Sequence, residues 1–107
     1  MPNDTSSQRT SQIVQRNLKC LSVLAGHEFN GLAPKAITER IGCTKSETTS
    51  VLRNLEYAGI AERVPGMPDR WRLGPKLIQY ALAHLSQVDQ TKKRYDEMVQ
   101  RYSREFS

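Results

Sequence analysis

The sequence predicts a mainly α chain with a small β-hairpin. The expected layout is a winged helix-turn-helix: a three-helix core plus wing, followed by one or two C-terminal helices. Three observations carry this. Thr44 with Glu47 forms a capping box, hydroxyl to the backbone ahead and carboxylate to the backbone behind, so a helix begins there. Gly42-Cys43-Thr44 joins that helix to a shorter one before it, and a short glycine-containing joint between two helices marks a helix-turn-helix. After Gly59 the apolar period drops from helical to two, and Pro65-Gly66-Met67-Pro68-Asp69 interrupts the alternation as a hairpin turn does.

Taken in order, residues 1–7 are polar and read as a frayed tail, with Arg9 the one nearby charge suited to an arm in a minor groove. From about Gln8 to Ala25 the chain looks helical. Val14, Leu18, Leu21 and Ala25 step by four, three and four, with Ile13, Cys20 and Leu24 alongside. That stripe is wide enough to meet more than one neighbour. Gly26 ends it, and His27 to Leu32 form a loop turning at Asn30-Gly31. Pro34 opens a short helix to Ile41, because a missing N–H costs nothing at the first helical position. Ala36, Ile37 and Ile41 face inward; Lys35, Glu39 and Arg40 face out.

The capped helix, 44–58, turns Thr48, Val51, Leu52 and Leu55 inward with Cys43 just before it, and Gly59 supplies its left-handed stop. Its other face carries Lys45, Ser46, Thr49, Ser50 and Arg53. Small, polar and partly cationic, that face suits either plain solvent or a DNA major groove, which admits one helix and offers hydrogen-bonding base edges. In the hairpin, 60–73, Ile60, Glu62 and Val64 share one face, and Ala61 and Arg63 the other. Trp71 and Leu73 point to the body, Arg70 and Arg72 outward. The hairpin either caps the helical core or acts as a wing laying Arg63, Arg70 and Arg72 along phosphates; three arginines on so short a ribbon favour the wing.

Gly74-Pro75 starts the last helix, striped by Leu77, Ile78, Ala81, Leu82, Leu85 and Val88 and continuing toward Phe106. Val88, Tyr95 and Tyr102 are seven apart. The companion row Leu77, His84, Thr91, Met98 and Glu105 makes a weak heptad. This helix either folds back on its own domain or pairs two chains through Leu85, Val88, Tyr95, Met98 and Tyr102. Pairing is expected, since one recognition helix reads only a short site and twofold symmetry lengthens it. The division is then a tail at 1–7, a DNA-binding domain at 8–74 and a linker or dimerisation helix at 75–107.

One small domain is what 107 residues allow. Sixteen Lys and Arg against eleven Asp and Glu give +5, with a pI near 9.5. Eight of those bases against five acids lie between Lys35 and Lys76, so the surplus sits in the motif region and favours a polyanionic partner. Cys20 and Cys43 read as core-facing reduced thiols, and His27 and His84 stand without ligand spacing, so no metal is expected. Without a paired acid, a nucleophile with its base or a glycine-rich phosphate loop, neither an enzyme nor a cofactor is expected. No apolar run reaches membrane length and no signal peptide opens the chain, so a cytoplasmic protein is expected, with no membrane partner. The rival class is a winged-helix protein-docking module, because fold alone does not fix function.

Residues from about Leu18 to Ala81 resemble the N-terminal DNA-binding domain of IclR-type transcriptional regulators. The matching pieces are Lys45-Ser46 opening the recognition helix, then Val51-Leu52-Arg53-Asn54-Leu55, then Tyr57-Ala58-Gly59-Ile60. Most specific is Trp71-Arg72-Leu73-Gly74-Pro75-Lys76-Leu77, similar to that family's aromatic-Arg-Leu-Gly exit from the wing. The resemblance implies a three-helix core with a wing, a linker helix, and dimeric binding to a palindromic operator in double-stranded DNA, the N-terminal and linker helices pairing the domains. That family carries a large effector domain after the linker helix, whereas this chain ends at Ser107, so no small-molecule effector is expected. The family also often has an arginine where Ser50 stands here, which points to Arg53, one turn on, for a phosphate or base contact. The expected roles are Ser46, Thr49 and Ser50 near base edges, Lys45 and Arg53 on phosphates or guanine, and Arg63, Arg70 and Arg72 along the backbone. The start of the second helix near Lys35 offers amides to a phosphate.

Overall fold

A computed structural model describes residues 9–105. The predicted tail at 1–7, Gln8 and Phe106 lie outside them. The elements are α1 (Gln12–Leu24), α2 (Pro34–Ile41), α3 (Lys45–Tyr57), β1 (Ala61–Val64), β2 (Met67–Leu73) and α4 (Pro75–Glu105). The chain divides into two compact units between Leu77 and Ile78.

In the first unit α1, α2 and α3 pack against one another around Cys20, Leu24, Ile37, Ile41, Val51 and Leu52, with Trp71 closing the cluster from the hairpin. α1 begins later than its apolar spacing suggests, because Ser11 caps it: its hydroxyl accepts the Val14 N–H at 3.3 Å. Cys20 and Leu24 are fully buried, but Ile13, Val14 and Leu18 stay exposed. The stripe is wider than the surface the rest of this unit offers it. α2 starts on Pro34 and turns Ile37 and Ile41 inward, as predicted.

Both bonds of the α3 capping box are made: Glu47 N–H to Thr44 Oγ1 at 3.1 Å and Thr44 N–H to Glu47 Oε1 at 2.9 Å. At the other end Gly59 takes φ 76°, a left-handed conformation that a Cβ would disfavour. It thereby sends its own N–H to Glu56 O at 3.0 Å and the Ile60 N–H to Leu55 O at 2.8 Å. Two otherwise orphaned carbonyls are satisfied as the chain leaves for the hairpin.

The hairpin departs from the simple alternation. β1 and β2 are antiparallel, with Ala61 opposite Leu73, Glu62 opposite Arg72 and Arg63 opposite Trp71, but the register then slips so that Val64 faces Met67. Hence Ala61 and Val64 are both buried, where strict alternation put them on opposite faces. A bulge adds residues to one strand and re-aims the side chains beyond it. The turn is also tighter than predicted: Pro65-Gly66 alone connects the strands, and Met67, Pro68 and Asp69 belong to β2. On its far edge Trp71 exchanges both backbone bonds with Leu32, each 2.8 Å, so the α1–α2 loop adds a one-residue third strand.

The second unit lies along α4, a helix of 31 residues and so about 46 Å long. Leu85, Val88, Tyr95, Met98 and Tyr102 are exposed on it, and so is Val99. Among the described residues no helix is long and apolar enough to cross a membrane.

Candidate nucleic-acid interface

Three of the grooves that border the helix-turn-helix sort the predicted residues. Thr49 and Arg53 of α3 share a groove with Arg63, Asp69 and Trp71 of the hairpin, and Leu52 and Pro34 line it too. Ser46 and Ser50 border a second one with Ile13, Arg16 and Asn17 of α1. Lys45 shares the third with Lys35, Thr38 and Glu39 of α2. Thr49 and Arg53 therefore meet the hairpin at Arg63, whereas Ser46 and Ser50 border α1 and Lys45 borders α2.

The cations fall into two groups. Among the described residues Lys35, Lys45 and Arg53 are exposed and have no ion-pair partner within the chain. The hairpin arginines are engaged. Arg63 lies 4.6 Å over the Trp71 ring, donates to Pro68 O at 2.8 Å and sits 3.6 Å from the Glu56 carboxylate of α3. Arg70 donates to Asn30 O at 2.7 Å and Gly31 O at 3.1 Å. Arg72 pairs with Glu62 at 2.9 Å and donates to Glu28 O at 3.2 Å. Arg70 and Arg72 leave the core face of β2, as their alternation with Trp71 and Leu73 requires. Their guanidinium groups then fold onto the α1–α2 loop instead of standing free in solvent. Carbonyls that helix and sheet leave unpaired draw them there.

Beneath this surface the angle between α2 and α3 is held by hydroxyls. Thr48, buried on α3, donates to Thr44 O at 3.1 Å and lies 3.2 Å from the Cys43 sulfur. The Glu47 carboxylate is held below its ordinary value, first by the Thr44 N–H, then by the Thr44 hydroxyl, with Arg16 at 2.8 Å adding to it. The Cys20 thiol is pushed up to about 11, by burial first and by neighbouring Cys43 second. Both cysteines are free thiols; Cys20 is buried as predicted, whereas Cys43 is only half-buried.

No protein-family model matches the chain, and no curated protein matches it. A solved IclR transcriptional regulator from Alicyclobacillus acidocaldarius is similar, with TM-score 0.59 and 30% identity over 66% of this chain. The domain is a winged helix. The matched part spans only 28% of that regulator's length. A mutant MepR from S. aureus also matches, with TM-score 0.49 and 18% identity, covering 89% of this chain and 70% of that one.

The winged helix displays one side chain that the sequence reading passed over. Tyr57, 95% exposed, ends α3 in line with Ser46, Ser50 and Arg53. Its spacing of four, three and four from those residues was the available signal. On α4 Tyr80 and Val99 are exposed and have no role in the sequence reading, Val99 lying four after Tyr95 and three before Tyr102.

Proposed function

We propose that this winged helix binds double-stranded DNA as a transcriptional regulator, with α3 in the major groove and the hairpin on the flanking backbone. The observation that carries the reading is the groove lined together by Thr49 and Arg53 of α3 and Arg63 of the hairpin. A cylinder of small polar residues fits between base edges, and uncommitted cations at its margin meet phosphates. Lys45 and Arg53 contact phosphates or guanine, Ser46, Thr49 and Ser50 approach base edges, and Lys35 with the α2 amides holds a phosphate. Arg63 faces the backbone, while Arg70 and Arg72 fix the hairpin and add their charge to the field. The likeness to a known regulator supports this role. The chain acts as a homodimer paired through α4, whose Leu85, Val88, Tyr95, Met98 and Tyr102 are apolar, exposed and helically aligned.

The test is duplex affinity against salt. Binding should weaken with a log–log slope of about −0.9 per phosphate contacted, and Arg53→Ala should remove roughly one contact's worth. Affinity that does not change between about 50 and 200 mM salt would refute the reading. Mass in solution should be that of a dimer, reduced to a monomer by Val88→Asp.

A further inference from the structure

We infer that Thr49 reads the C5-methyl group of a thymine in the major groove. This rests on the proposed entry of α3 into that groove and adds a base to it. The exposed face of α3 presents three hydroxyl residues, Ser46, Thr49 and Ser50, and they are not equivalent. The Thr49 hydroxyl is turned inward along its own helix, Oγ1 donating to Lys45 O at 3.1 Å. A hydroxyl has one proton to donate, so that bond commits it. The other branch at Cβ, the Cγ2 methyl, is then what Thr49 presents outward. Among the described residues neither Ser46 nor Ser50 makes a side-chain hydrogen bond, and both keep a donor for a base edge.

The setting suits an apolar contact. Thr49 lines a groove together with the buried Leu52 and Trp71 and with Arg53 and Arg63. Cations at the margin hold the duplex by its phosphates, while the methyl stands where a base edge arrives. In the major groove the thymine C5-methyl is the apolar feature of the four-base code, and a threonine methyl is suited to meet it. With its proton committed, the Thr49 hydroxyl has nothing to donate to the thymine O4 acceptor, and methyl-to-methyl packing is the contact it can offer that base.

The experiment uses the full chain and a duplex selected from a random pool. Each thymine is replaced in turn by deoxyuridine, which lacks only the C5-methyl. At one or more thymines the wild-type chain should bind roughly fourfold more weakly, the value of one buried methyl. Thr49→Ser keeps the hydroxyl and removes the methyl, so it should bind the thymine duplex roughly fourfold more weakly and the uracil duplex as wild type does. Thr49→Val keeps the methyl and should keep the discrimination. Duplex binding with no uracil effect, or an undiminished effect in Thr49→Ser, overturns the thymine assignment and leaves the proposed function standing. No duplex binding at low salt overturns both.

Discussion

The hydroxyls of Thr38 on α2 and Thr48 on α3 lie 2.6 Å apart, a direct bond between the two helices of the helix-turn-helix. Thr38 Oγ1 also lies 2.8 Å from Pro34 O and Thr48 Oγ1 3.1 Å from Thr44 O; each hydroxyl has one proton, so one of the two gives up its carbonyl to donate across the pair. Thr48 is 1% exposed, so its hydroxyl has to find its partners within the protein. The bond therefore helps to set the angle at which α3 leaves the domain. Thr48→Val, which keeps the shape and removes the hydroxyl, should lower stability by about 1–2 kcal/mol in urea unfolding. Adding Thr38→Val should cost less than the same change alone, because the partner is already gone.

Gly31 is the second position where little freedom exists. Its φ is +64°, and a Cβ there would sit 2.5 Å from Trp71 O and 2.6 Å from a Val64 methyl. The strand-like exchange between Leu32 and Trp71 depends on that close approach. Gly31→Ala should destabilise the domain by about 2–4 kcal/mol. Hydrogen exchange should quicken at the Leu32 and Trp71 amides more than at the α1 amides. Equal protection in variant and parent would contradict this account.

The capping box brings a pH dependence of definite sign. Glu47 is held below its ordinary 4.5, chiefly by the Thr44 N–H, so its contribution is fully present above that value. It is lost as pH falls through the lower folded value. Glu28 moves in the same direction, its main cause the Gly26 N–H. Urea midpoints should therefore decline below about pH 4.5. Glu47→Gln should start lower at neutral pH and decline less steeply, since an amide caps weakly and does not titrate. A parallel decline in the two proteins would count against Glu47 as the source.

The thiols should separate by reactivity. Cys20 is fully buried with its thiol pushed up to about 11, while Cys43 is half-buried at the turn between α2 and α3. The thiolate is the reactive form. At pH 8 a disulfide reagent should label Cys43 in the folded protein, and Cys20 only at the rate of unfolding. Labelling of both at one rate would show that the α1 side of the core opens readily.

Short-range rules made much of this molecule legible without coordinates. A hydroxyl and a carboxylate three residues apart close the start of α3, and a glycine after Ala58 closes its end, whatever surrounds them. Pro34 opens α2 for the same kind of reason. The inward faces of α2 and α3 follow from helical spacing, because 3.6 residues per turn leaves Ile37, Ile41, Val51 and Leu55 no other side to share. The stretches that misled are those where a distant partner intervenes. Ala61 and Val64 are both buried because the opposing strand slips by a bulge. Arg70 and Arg72 bond to a loop about forty residues earlier in the chain, where carbonyls lacked donors. Ile13, Val14 and Leu18 are apolar at helical spacing yet exposed, since periodicity states which residues share a side and not how much of that side is covered. Local geometry and capping belong to a few neighbouring residues and can be read from their order. Register, coverage and the destination of a long side chain depend on which distant backbone groups folding brings within reach, and no run of neighbours contains that information.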